Sequence, residues 1–210
     1  MSRERWMGLS FAIGSLCFLV GPFPGYAQLV GAEADAITFF VGSIFFTAGG
    51  ALQTSLAWHE PGSDAWWTAV IQSVGTLCFN VSTYLALHTT LSNSDYDRLV
   101  WRPDAVGSVC FLVSGVIAYR AARPGDGWEP LVNLLGCVFF GISAVAGYIV
   151  PSTGSIIDLA ASNWNTALGA ACFLACGVAA AVSGRTVKSP RLRRLRHLED
   201  VVERDVERLV

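Results

Sequence analysis

The side chains able to do chemistry are few and thinly spread. Six cysteines are present, and four of them (Cys17, Cys78, Cys110 and Cys172) stand three residues after a glycine. Cys137 follows a glycine directly, and Cys176 lies one helical turn beyond Cys172. No Cys-x-x-Cys occurs, no His or acid adjoins a thiol, and two thiols on one helix face make a poor metal site. The thiols therefore read as small apolar packing groups, and neither a metal nor a cofactor is expected. His59, His88 and His197 all fall in links or in the tail. His88 with Asp95 and Asp97 is the one grouping suited to acid–base chemistry, and a solvated loop accounts for it better. No catalytic triad order, metalloprotease helix, phosphate loop or dinucleotide fingerprint is present. The expectation is a protein that is not an enzyme.

A second set of polar groups stands inside apolar sequence: Gln72, Asn80, Asp104 and Asn133, with Gln53 and Thr47 in a neighbouring stretch. An amide or acid in hydrocarbon needs a partner or a cavity. Asn80 and Gln53 read first as inter-helix hydrogen-bonding groups, with the lining of a polar path as the other reading. Asp104 follows Arg102-Pro103, so it either caps the first turn of a helix or is a buried, functional carboxylate.

The elements that hold these groups follow from composition. Of 210 residues, 53% are hydrophobic and only 14% charged, against about 25% in an average chain. The net charge of −2 and the lack of a basic face argue against a nucleic-acid partner. Charges cluster at intervals and leave six apolar stretches, about Trp6–Tyr26, Asp35–Ala57, Trp66–Leu87, Asp104–Ala122, Trp128–Val150 and Asn163–Val182. Each approaches the roughly 20 residues a helix needs to cross a hydrocarbon layer of about 30 Å. Backbone groups in lipid must be satisfied within the segment, which requires helices. All seven tryptophans fall at the ends of these stretches, the depth an indole prefers. With six crossings both termini share a side, and that side holds twelve Lys and Arg against two on the other (Arg98 and Arg102). The positive-inside rule then makes both termini cytoplasmic in a bacterial plasma membrane, with no cleaved leader expected.

Each stretch carries Gly, a small residue, any residue, Cys or Phe, then Phe, starting at Gly14, Gly42, Gly75, Gly107, Gly136 and Gly169. The third place is Ala in the last, and the second is Ser, Thr, Cys or Ala. Gly and a small neighbour make a notch through which helices approach closely, and the Phe four residues on can fill a neighbouring notch. The glycines are expected at helix–helix contacts. Gly14 to Gly107, Gly42 to Gly136 and Gly75 to Gly169 are separations of 93, 94 and 94 residues. The chain thus reads as two homologous three-helix halves, about 1–100 and 101–184, the second inverted because three is odd. Three residues before the glycines stand Phe11, Phe39, Gln72, Asp104, Asn133 and Thr166, a candidate ring of polar groups.

Residues 185–210 change character. Leu192, Leu195, Leu198, Val202, Val206 and Leu209 recur at helical spacing. Arg191, Arg193, Arg194 and Arg196 make the first half of this amphipathic helix basic, suited to anionic lipid headgroups. Its second half is mixed and mostly acidic, and could pair with a second copy to give a homo-oligomer.

Three stretches resemble the YrhK-like family of small membrane modules: Ala34-Asp35-Ala36-Ile37-Thr38-Phe39-Phe40-Val41-Gly42-Ser43-Ile44-Phe45-Phe46-Thr47, Val74-Gly75-Thr76-Leu77-Cys78-Phe79-Asn80-Val81-Ser82-Thr83, and Trp101-Arg102-Pro103-Asp104. The six-stretch chain as a whole is similar to multi-span actinobacterial proteins carrying that domain. The family has no assigned activity, so the resemblance implies location and fold and brings over no catalytic or ligand residues.

The sequence therefore predicts an all-α, six-crossing membrane bundle made of two inverted three-helix repeats, with a C-terminal cytoplasmic amphipathic helix. Two functions compete. One is a structural or adaptive bundle without chemistry of its own. The other is a channel or carrier for a small solute, with Gln72, Asn80, Asp104 and Asn133 lining a path between the repeats.

Overall fold

The computed structural model describes residues 1–87, 92–123 and 125–183; His88 and the tail with its four arginines lie outside the described residues. The described residues are 81% helix, so the class is all-α. In order come α1 (Arg3–Val20), α2 (Tyr26–Val30), α3 (Ala32–Ala57), α4 (Asp64–Ala86), α5 (Asn93–Tyr96), a π-helical turn (Asp97–Trp101), α6 (Arg102–Ala121), α7 (Glu129–Ala146), a two-residue hairpin pair β1 (Ile149–Val150) and β2 (Ser155–Ile156), and α8 (Leu159–Ser183). Local chemistry sets the starts. The Ser2 and Ser63 side chains accept from the Arg5 and Trp66 amides at 3.4 and 3.1 Å, and Asp158 accepts from the Ala161 amide at 2.9 Å, each satisfying an otherwise orphaned donor.

Five helices are long and apolar enough to cross a membrane: Ala32–Ala57, Asp64–Ala86, Asn93–Ala121, Glu129–Ala146 and Leu159–Ser183. The sixth expected crossing is α1, which has 18 residues but opens with Arg3, Glu4 and Arg5 and so falls outside that group. Several boundaries differ from expectation: α1 ends at Val20 rather than Tyr26, and α3 and α8 start at Ala32 and Leu159 rather than Asp35 and Asn163. The fifth stretch stops at Ala146 rather than Val150, because Gly147 breaks it and Ile149–Ile156 fold back as an antiparallel pair. The fourth begins earlier than Asp104. Helical backbone runs from Asn93, capped by Ser92, through the π turn into α6. Pro103 has no N–H for the carbonyl four residues back, and the widened turn just before it, with Arg102 N–H bonded to the Asp97 carbonyl, absorbs the mismatch. Asp104 is thus inside a continuous helix and does not cap one.

The six long helices close a ring in chain order: α1 packs on α3, α3 on α4, α4 on α6, α6 on α7, α7 on α8, and α8 on α1. Gly8, near the start of α1, abuts Gly177 near the end of α8, so the two ends of the described chain share one end of the bundle. The closest approaches join consecutive helices. A methyl at Gly14 would stand 2.8 Å from the Gly42 carbonyl oxygen; at Gly75, 3.0 Å from that of Gly107, and the reverse; at Gly169, 3.0 Å from that of Gly136. Backbones come this near only where no side chain intervenes. These contacts mark out three hairpins, α1/α3, α4/α6 and α7/α8, each closed at the same end of the bundle. The second hairpin straddles residue 100, where the sequence reading placed a boundary between halves.

The core is built from one motif phenylalanine per helix. Successive helices run in opposite directions, so the residue four places after the glycine lies alternately toward one end and the other. Phe18, Phe79 and Phe140 form one triangle, with ring centroids 5.9–6.3 Å apart. Phe46, Phe111 and Phe173 form a second, at 5.6–6.2 Å. Within each hairpin the two rings touch across the layers at 5.1–5.3 Å. Phe46, Phe79 and Phe111 are at most 1% exposed. Two stacked triangles of aromatic rings fill the axis of the bundle.

Candidate functional site

The antiparallel ring also decides where the candidate polar groups go. A position three residues before the glycine is displaced about 4.5 Å along the axis, in a direction that alternates with the helix. Phe11, Gln72 and Asn133 fall toward the end that carries the N-terminus. Phe39, Asp104 and Thr166 fall toward the opposite end. The expected ring is two separate levels with the phenylalanine layers between them. Gln72 is buried, while Asn133 and Asp104 are half-buried.

Asn80 belongs to a hydrogen-bonded cluster between α3 and α4. Its Nδ2 donates to Thr47 Oγ1. Its Oδ1 accepts from Ser43 at 2.7 Å, and Ser43 lies 2.9 Å from Thr83 Oγ1. Thr83 in turn reaches the Phe79 carbonyl at 2.7 Å. Both ends of the amide are therefore engaged by a neighbouring helix, the arrangement of a polar clasp rather than of a group turned toward a passage. Two further clasps join hydroxyl side chains, of which only Thr166 stands among the sequence candidates. Thr54 pairs with Ser73 at 2.8 Å, again between α3 and α4. Ser143 pairs with Thr166 at 2.6 Å and with the Ser162 carbonyl at 2.9 Å, between α7 and α8. The signal was available: each joins Ser or Thr on facing helices near the motif. Ser43 occupies the motif's small-residue place, where the sequence pattern shows only a notch.

All six motif glycines lie at helix–helix contacts, most against backbone oxygen or a Cys or Phe of the facing motif. Cys17, Cys110 and Cys172 contribute Cβ atoms 2.8–3.1 Å from methyls built at Gly42, Gly75 and Gly136, a packing role. All six thiols are free. Among the described residues no group of three or more His, Cys, Asp or Glu is placed to hold a metal ion.

Asp104 shares its end of the bundle with Tyr96, whose phenol lies within electrostatic range of both Asp104 and Asp97. The π turn beside them is pinned from outside the helix: Trp101 Nε1 donates to the Ala144 carbonyl at 2.8 Å, and its ring meets Tyr148 at 4.7 Å. The opposite end carries an open groove of about 580 Å³ lined by Arg3, Ala51, Thr54, Ser55, Trp58, His59 and Ser73. The four polar-path candidates line no part of it. No family model, curated protein or solved structure matches the chain.

Proposed function

We propose that this chain is a six-crossing structural bundle of a bacterial plasma membrane, with both termini cytoplasmic and with neither a solute path nor chemistry of its own. The observation that carries the reading is the pair of phenylalanine triangles, six rings in mutual contact on the axis between the polar levels. A carrier needs polar groups converging on an accessible site; the Asn80 amide is instead spent on Ser43 and Thr47. α1 serves as the sixth crossing. Its 18 residues span about 27 Å, and it packs between α3 and α8. The resemblance to the YrhK-like family belongs to this reading, as do headgroup contacts and self-association through the tail.

The repeat unit in this proposal is the hairpin. Gly14, Gly75 and Gly136 are 61 residues apart, and Gly42, Gly107 and Gly169 follow at 65 and 62. A one-third turn about the ring axis carries each hairpin onto the next. A rotation that exchanges up- and down-running helices also reverses the sense in which a ring is read. Three consecutive helices therefore cannot be carried onto the following three as one body.

The test is flux through proteoliposomes. Wild-type protein should add no leak of small ions or neutral solutes above protein-free vesicles. Saturable flux abolished by Asp104→Asn and Asn80→Ala would overturn the reading in favour of a carrier.

A further inference from the structure

The groove between the start of α1 and the α3/α4 seam has a local cause. Counted from the motif glycines, Ala51 and Thr54 of α3 correspond to Val116 and Tyr119 of α6, and Ser73 of α4 corresponds to Leu134 of α7. In the α6/α7 seam Leu134 and Cys137 close on Gly115. In the α8/α1 seam Gly177 lies against Ala12 and Gly8. The α3/α4 seam has small, hydroxyl-bearing residues at the same height, tied together by the Thr54–Ser73 bond, and there the surface opens.

The rim supplies the recognition chemistry. Arg3 and His59 stand on it, both exposed, with Glu4 within electrostatic range of Arg3. A guanidinium matches two phosphate oxygens at once. The Trp58 indole is 61% exposed at the same level, the headgroup depth for this side chain. Toward the other end of the bundle the same two helices expose Val41 and Ile44 on α3 and Val74, Leu77 and Val81 on α4.

We infer that this groove binds the headgroup of one anionic phospholipid, with the phosphodiester on Arg3 and His59, the glycerol region against Trp58, and the acyl chains along the outer faces of α3 and α4. The inference rests on the membrane reading above. Free phosphate lacks the part of the ligand that the apolar surface would hold.

The experiment is native mass spectrometry of the full-length protein released from detergent micelles and titrated with dioleoylphosphatidylglycerol or dioleoylphosphatidylcholine. Wild type should retain one phosphatidylglycerol with a preference of about tenfold over phosphatidylcholine, and millimolar inorganic phosphate should not displace it. Arg3→Gln with His59→Gln should remove the preference. Ser73→Leu keeps both rim side chains and restores the bulk found at Leu134; it should also displace the bound lipid. An unchanged preference in both variants, as the tail arginines alone would give, overturns the site. Displacement by inorganic phosphate overturns the lipid assignment. Extraction of the protein from cells without detergent would instead remove the membrane reading itself.

Discussion

Asn80 and Ser43 show what a polar side chain does in this molecule. The Asn80 amide is engaged at both ends across one seam, so removing it exposes partners rather than closing a route. Asn80→Ala should destabilise the bundle by about 1 kcal/mol, the usual scale of such bonds between membrane helices, read as a shift in denaturation in mixed micelles. Ser43→Ala combined with it should cost less than the two singles together, because they share a bond. Sequence showed that Asn80 needed a partner. It did not show which, because the partner lies 37 residues away on a helix whose rotation is set by packing. Asp104 was less legible. Arg102-Pro103-Asp104 has the composition of a helix start, and only the upstream π turn reveals that the helix was already under way.

At the scale of the element, glycines in the same type of helix differ sharply in what they do. A methyl at Gly75 would press on the Gly107 carbonyl at 3.0 Å, whereas one at Gly141 meets nothing within 4 Å. Gly75→Ala should therefore splay α4 from α6 and cost about 1–3 kcal/mol. Gly141→Ala should be neutral or stabilise by up to about 1 kcal/mol, through helix propensity alone. Thermal unfolding in detergent, followed by helical circular dichroism, would separate them. The motif itself was plain in the sequence. Its level was not: whether Phe18 joins Phe79 or Phe46 in a triangle depends on strand-like alternation of helix direction around the ring, and a one-dimensional pattern carries no direction. The hairpin at Ile149–Ile156 was missed for a related reason. Tyr148-Ile149-Val150 is as apolar as the helix before it, and only Gly147 and the Gly154 turn mark the change.

For the whole molecule the three hairpins set two expectations. Phe18→Ala, Phe79→Ala and Phe140→Ala should each cost about 3–5 kcal/mol, the range for a buried ring, and the three losses should agree more closely with one another than with losses at other buried sites. Unequal losses would show that the layer is not shared alike. The ring also fixes sidedness. On a background without the native cysteines, Ser63→Cys and Arg123→Cys should be labelled by an impermeant maleimide from one face of sealed vesicles, and Ser155→Cys from the other. The described arginines are divided in the same sense, with Arg3, Arg5, Arg120 and Arg123 at one end and Arg98 and Arg102 at the other.

Pairing of each glycine-matched helix with its immediate successor has a bearing on how the chain is made. A ribosome releases α1 and then α3, α4 and then α6, α7 and then α8, so every tight pair is complete as soon as its second member emerges. The seam of Gly8 and Gly177 joins the first of these helices to α8, and it alone must wait through the synthesis of all the others. Until α8 emerges, the flank of α1 that it covers is open, and the nascent bundle is an open arc.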